Sequence, residues 1–175
     1  DIHTLEYNSG AANASVNLNG GSLTLSNIVV TNGATKQLNF NGGQFIAGAS
    51  LPTVSGLTLN VNNGGANINT NGNSFAISDP LLAAGSGGLN KSGAGTLTLS
   101  GASTFTGATN ITAGTLALNA AGTLGTGHVI VNGTLDIAAI TPTSYTLGTA
   151  QVLSGAGTVN GTGKTLNIEG TLAPG

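Results

Sequence analysis

Gly95-Thr96-Leu97-Thr98-Leu99, Gly114-Thr115-Leu116-Ala117-Leu118 and Gly133-Thr134-Leu135-Asp136-Ile137 follow one another at steps of 19 residues. Each time a glycine and a threonine precede two apolar residues that are separated by one other residue. Such alternation marks a strand with one buried face, and a fixed step marks a stacked repeat. Phe105 and Leu124 keep the same step of 19, as do Ile111 and Ile130. One unit therefore holds three apolar stations, Leu97/Leu99, Phe105 and Ile111, with Gly, Asn, Thr and Ser between them. Three short strands and three corners per unit predict a triangular coil. Stacking would place Leu97 under Leu116 and Leu116 under Leu135.

The ladder extends both ways with looser spacing. Leu5, Leu23, Leu38, Leu57 and Phe75 precede Leu97 at steps of 18, 15, 19, 18 and 22 residues. Forwards, Gly157-Thr158-Val159 and Gly170-Thr171-Leu172 repeat the opening motif after an insertion near Pro142 and Tyr145. This reading gives a single solenoid over residues 1–175, with less regular coils over 139–175. About nine coils at the usual strand spacing make a rod about 40 Å long. The competing all-β reading is a sandwich of hairpins, because Asn32-Gly33, Asn41-Gly42, Asn71-Gly72 and Asn132-Gly133 are good hairpin turns. The solenoid is preferred because three stations repeat together, which a sandwich does not require. The six-residue period of the left-handed hexapeptide helix is absent.

Composition narrows the class further. Apolar residues make up 39% of the chain but aromatic residues only 3%, too few rings to fill the core of an ordinary compact domain. Charged residues are 5%, against an ordinary share of about 25%. There is no Arg, and Lys36, Lys91 and Lys164 are the only lysines. No basic patch exists to neutralise phosphates, so nucleic acid is not an expected partner. The absence of Cys excludes disulfides and thiolate metal sites. No apolar run reaches the roughly 20 residues of a membrane-spanning helix, so membrane insertion by this segment is not expected. Asp1-Ile2-His3-Thr4 shows neither the charged nor the apolar region of a secretory signal.

Residues 77–138 carry a more specific signal. Ser78-Asp79-Pro80-Leu81 is followed by Gly87-Gly88-Leu89-Asn90-Lys91-Ser92-Gly93-Ala94-Gly95-Thr96-Leu97-Thr98-Leu99-Ser100-Gly101. Thr104-Phe105-Thr106-Gly107-Ala108-Thr109-Asn110-Ile111, Ala113-Gly114-Thr115-Leu116 and Leu124-Gly125-Thr126-Gly127 continue it. The stretch resembles the autotransporter-associated β-strand repeat, also called the passenger-associated transport repeat. Leu153-Ser154-Gly155-Ala156-Gly157-Thr158-Val159 and Leu172-Ala173-Pro174-Gly175 are similar to the way such regions close. The resemblance implies a right-handed parallel β-helix, a bacterial surface protein exported by type V secretion, and a structural role in transport and display.

Enzymatic β-helices act on acidic polysaccharides with carboxylates and basic residues gathered on one face. The acids here are Asp1, Glu6, Asp79, Asp136 and Glu169. Stacking puts Asp136 in a column with Ala117 and Thr98, without the second carboxylate that glycosidic cleavage ordinarily needs. No catalytic residue is assigned, and the acids read as solvated surface groups. His128 aligns with Thr109, shares parity with Ile130, and reads as a hydrogen-bonded corner. His3 is too distant to complete a metal site with it, and aspartates do not recur as calcium-binding nonapeptide coils require. Gly93-Ala94-Gly95 opens no helix, as a phosphate loop must. Lys91 reads as a corner residue that salt-bridges or snorkels, and Tyr7 and Tyr145 as packing residues rather than sugar platforms. Thr96, Thr115 and Thr134 form a hydroxyl column, and ladders of Asn and Thr are expected to bond from coil to coil. Their flat neutral surface is also suited to glycans or to another rod. No cofactor or metal is expected.

The function expected from these readings is a non-catalytic structural and adhesive module of a secreted surface protein. The alternative is a self-assembling extracellular fibre subunit whose uncapped ends stack head to tail on identical chains. A carbohydrate-active β-helix enzyme is a remote third.

Overall fold

The computed structural model describes residues 4–7, 13–30, 35–49 and 51–175. Every strand pairing in it is parallel. The chain visits three faces in rotation and returns to each one turn later. The first face is the sheet of Ala14–Leu18, Lys36–Phe40, Thr58–Val61 and Leu81–Ala83. The second has eight strands: Ser22–Leu25, Gln44–Ala47, Ala66–Asn69, Leu89–Ser92, Thr109–Ile111, Val129–Val131, Val152–Gly155 and Thr171–Pro174. The third has Phe75–Ile77, Thr96–Leu99, Thr115–Ala120, Thr134–Ile140 and Thr158–Asn160. Two further parallel pairs complete the rotation, Thr4–Tyr7 with Asn27–Val30 and Ser144–Leu147 with Thr165–Ile168. The fold is an all-β parallel solenoid of about seven turns, which stack to about 34 Å.

The founding column is as expected. Leu97 pairs with Leu116, Leu116 pairs with Leu135, and all three are fully buried. Phe75 lies before Leu97 and Val159 after Leu135 in the same column. Parity does the rest: in Thr96–Leu99 the leucines are buried while the threonines face outward and are half-buried. The core is filled by aliphatic residues, with Phe40, Phe45 and Phe75 in edge or tilted contact at its N-terminal end, ring centroids 6.4 and 5.9 Å apart. The glycine that opens each Gly-Thr-Leu motif is set by the neighbouring turn. A Cβ on Gly95 would collide with the carbonyl oxygen of Asn73.

The count of nine coils is corrected to about seven, and the reason is a mistaken column. Leu23 pairs with Phe45 on the second face, Leu38 with Val16 and Leu59 on the first, and Leu5 with Ile28 in the third position of its turn. Leu57 is buried at a corner, its amide bonded to Asp79. Gly170-Thr171-Leu172 also belongs elsewhere, since Leu172 pairs with Leu153 on the second face. The second-face steps Leu23↔Phe45, Phe45↔Ile68 and Ile68↔Lys91 show early turns of 22 or 23 residues. The hairpin alternative is overturned by the parallel pairing. Asn41-Gly42, Asn71-Gly72 and Asn132-Gly133 are corners between faces, and Asn71 and Gly72 take the left-handed conformation, φ 52° and 79°. Asn32-Gly33 lies outside the described residues.

A second correction concerns parity. Ile111 pairs with Val131 rather than with Ile130, which faces outward opposite Asn110. The corner from Leu124 to Val129 is one residue longer than that from Phe105 to Thr109. The corner from Val131 to Thr134 is one shorter than that from Ile111 to Thr115, so the step of 19 is restored on the third face. A slip of one residue moves a strand's side chains to the opposite face.

These faces can be separated by mutation. Leu116→Asp puts an unpaired carboxylate between two buried leucines and is expected to cost about 3–5 kcal/mol. Asp136→Asn keeps the oxygen that accepts the Ala138 amide, and is expected to change stability by less than about 0.5 kcal/mol. Chemical denaturation of the two variants checks this.

Candidate functional site

The titratable residues occupy separate places on the rod. Asp136 stands between Ala117 and Asn160, with Thr98 beyond, and its Oδ1 accepts the Ala138 amide at 2.9 Å. Asp79 is half-buried at a corner, where its Oδ2 accepts the Leu57 amide at 2.9 Å. Glu6 and Glu169 are exposed. His128 is an exposed corner residue whose Nδ1 accepts the Val152 amide at 3.0 Å. It sits one place before the residue opposite Thr109, which is Val129. Among the described residues no three His, Cys, Asp or Glu side chains gather closely enough to hold a metal ion. Asp1 and His3 lie outside the described residues, as does the side chain of Tyr7.

Lys91 is where the structure departs furthest from expectation. It pairs with Ile68 and Ile111 in an inward column and is 0% exposed. Its Nζ donates toward the carbonyl oxygens of Gly93 at 2.8 Å, Ser92 at 2.9 Å and Ala113 at 3.0 Å. A fourth acceptor is Thr70 Oγ1 at 3.1 Å. Thr70 belongs to the preceding turn and Ala113 to the following one, so one ammonium group ties three turns together. No carboxylate is among its partners, which corrects the expected salt bridge or snorkel. Burial pulls its pKa down to about 8.

The parity of Leu89-Asn90-Lys91-Ser92 was the signal for this placement, since Lys91 shares the face of Leu89. The same holds for Lys36-Gln37-Leu38-Asn39-Phe40. Lys36 is 4% exposed, and its Nζ has no hydrogen-bond partner among the described residues.

Amide columns run along the outside. Asn39 Nδ2 donates to Asn17 Oδ1 and Asn60 Nδ2 to Asn39 Oδ1, each at 2.7 Å. On the second face Asn90 donates to Asn67 at 2.7 Å and Asn110 to Asn90 at 2.8 Å. Asn67 in turn donates to the Gly42 carbonyl at 2.9 Å. These are the expected coil-to-coil ladders. Thr96, Thr115 and Thr134 do stand in one column. Among the described residues, however, no bond joins their hydroxyls, so the threonines present a row of free hydroxyls instead.

Beyond Leu81–Ala83 the first face carries no strand for two turns, in which Ala102 and Thr123 meet in an isolated bridge. Ser144–Leu147 pairs only with Thr165–Ile168, and the ladder toward the preceding turn is split. Side chains bridge the split. Tyr145 Oη accepts the Leu124 amide at 3.2 Å, and Gln151 Nε2 donates to the carbonyls of Gly125 and Gly127 at 3.2 and 2.7 Å. The Gly148 amide donates to Gln151 Oε1 at 2.8 Å. A cleft of about 250 Å³ remains beside them. Tyr145 is 8% exposed, and burial raises its pKa while the Leu124 bond opposes the rise. Its packing role is as expected; the cleft was not foreseen.

Residues 89–118 match the family model described as passenger-associated-transport-repeat. Over these 30 of the 175 residues the chain is similar to a passenger-associated transport repeat. The match lies inside the 77–138 segment singled out from the sequence. It begins with the strand that holds Lys91 and ends with the one that holds Leu116, so it spans a full turn and the two strands that restart it. The repeat thus contains Lys91 and three of its four bonding partners. Together with the solenoid fold, it fits a passenger-like structural module of type V secretion and, coarsely, a secreted or surface protein. No curated protein and no solved structure matches the chain.

The depressed pKa of Lys91 sets the pH response of the repeat. Between about 8 and 10.5 the unfolded chain holds a proton that the folded chain has released. Stability is therefore expected to rise with pH through this window, by at most about 3 kcal/mol. Tyr145 acts in the opposite sense above the ordinary tyrosine pKa of 10.0, where the unfolded chain ionises first. Denaturant titrations from pH 7.5 to 9.5 should show the rise, and Lys91→Met should flatten it.

Proposed function

We propose that the chain is a non-catalytic stalk and adhesive module of an extracellular surface protein. What carries this reading is the continuous inward column through Phe75, Leu97, Leu116, Leu135 and Val159. A column of this kind is built one turn at a time, each turn burying its apolar side chains against the last. A chain that crosses a membrane unfolded can regain such a structure from one end without an energy source. The acids support the non-catalytic part of the reading: Asp79 and Asp136 are each committed to a backbone amide. The adhesive part rests on the neutral outer faces, where amide columns and the threonine row offer repeated donors and acceptors to glycans or to a neighbouring rod.

Inserted between a secretion leader and an outer-membrane barrel, the chain should reach the cell surface in protease-resistant form, and Leu116→Asp should block display. Retention of the unaltered chain inside the cell would count against the stalk. Incubation with acidic and neutral polysaccharides should release no new reducing ends. Turnover that disappears in Asp79→Ala or Asp136→Ala would replace the structural reading with an enzymatic one.

A second reading is end-to-end assembly with identical chains, favoured by the parallel register itself, which a further turn of the same kind from another copy would continue. Electron micrographs of concentrated protein should then show rods much longer than the single solenoid. Particles of one rod length only would dismiss assembly.

A further inference from the structure

The split between Leu124 and Tyr145 carries an inference that a stalk does not need. The residues around the cleft include none with a charge. A charged ligand entering it would lose water without gaining an ionic partner. The lining offers hydroxyls instead. Those of Thr123, Thr126 and Ser144 have no protein partner among the described residues. Tyr145 Oη uses a lone pair on the Leu124 amide, and its own proton has no protein acceptor among the described residues. Ile140 and Pro142 supply an apolar wall.

An extended peptide is disfavoured by the side chains that bridge the split. The Leu124 amide and the carbonyls of Gly125 and Gly127 are the groups an inserted strand would bond, and Tyr145 and Gln151 already occupy them. A volume of about 250 Å³ also falls just below the roughly 300–1,000 Å³ of sites for drug-sized ligands. A single ring fits this description better than a chain.

We propose that the cleft binds one ring of a neutral sugar, with Thr123, Thr126, Ser144 and Tyr145 bonding its hydroxyls and Ile140 and Pro142 packing against its C–H face. Hydroxyl side chains both donate and accept, as the adjacent hydroxyls of a pyranose do. The phenol is a neutral donor at physiological pH, as an ordinary tyrosine is, and burial moves its pKa further up.

The test is an amide-resolved NMR titration of the intact chain with glucose, galactose and N-acetylglucosamine, using glucuronate and trialanine as contrasts. Neutral sugars at millimolar concentration are expected to shift the amides of Thr123, Thr126 and Ser144, and the two contrasts are not. Tyr145→Phe should weaken binding by about tenfold through the lost donor. Because that variant also loses the Leu124 bond, Ser144→Ala and Ala121→Leu complete the set. Ser144→Ala should weaken binding, and Ala121→Leu, at an exposed position on the rim, should abolish it. No shift with any neutral sugar, undiminished binding to Ala121→Leu, or preferential binding of trialanine or glucuronate would each overturn the proposal. The stalk reading survives any of these results, since it rests on the inward column and not on the cleft.

Discussion

Parallel pairing of each turn with the next is the constraint on which the rest of the structure depends. It sets each paired strand residue directly against one a turn away, at the roughly 4.8 Å spacing of adjacent strands. Whatever stands at a station is therefore judged by its own kind. Leucine on leucine makes the core column of Leu97, Leu116 and Leu135. Asparagine on asparagine makes a chain of amide bonds, because one side chain carries both donor and acceptor. A lysine in an inward column has no such neighbour, and Lys91 shows the solution: its ammonium reaches a corner where carbonyls of successive turns converge. Lys36 is in the same inward position, and among the described residues it has no such cage.

The same constraint explains how much could be read from residues alone. Where corners kept their length, the fold was legible. The column through Leu97, Leu116 and Leu135, the outward place of Asp136 beside Ala117 and Thr98, and the continuation to Val159 all follow from spacing and alternation. Where corners changed length, the period misled. One residue added before Val129 turned Ile130 outward, and its removal before Thr134 hid the change from any count across the whole unit. In the N-terminal turns, Leu23, Leu38 and Leu57 occur at plausible intervals but on different faces or at a corner. A leucine ladder drawn through them joined residues that never stack and yielded two turns too many.

Polar residues were legible only in part. The asparagine columns followed from repetition, but whether the threonine hydroxyls bond one another depends on rotamers that a spacing does not fix. The interior position of Lys91 was present in its parity with Leu89, against the general expectation that lysine stays exposed. The cleft had no comparable signal. It exists because Tyr145 and Gln151 take over bonds that a neighbouring strand would otherwise make, and those contacts are 21 to 26 residues apart in the chain.

Stacking of successive turns in parallel register is tested most directly by NMR on the intact chain, through nuclear Overhauser contacts between methyl groups on labelled leucines and between threonine amides. Leu116 methyls should show contacts to both Leu97 and Leu135, and the Thr115 amide should show neighbours in the strands of both Thr96 and Thr134. Contacts that run in the antiparallel sense, with Thr96 facing Leu118 and Leu99 facing Thr115, would contradict the solenoid and everything built on it.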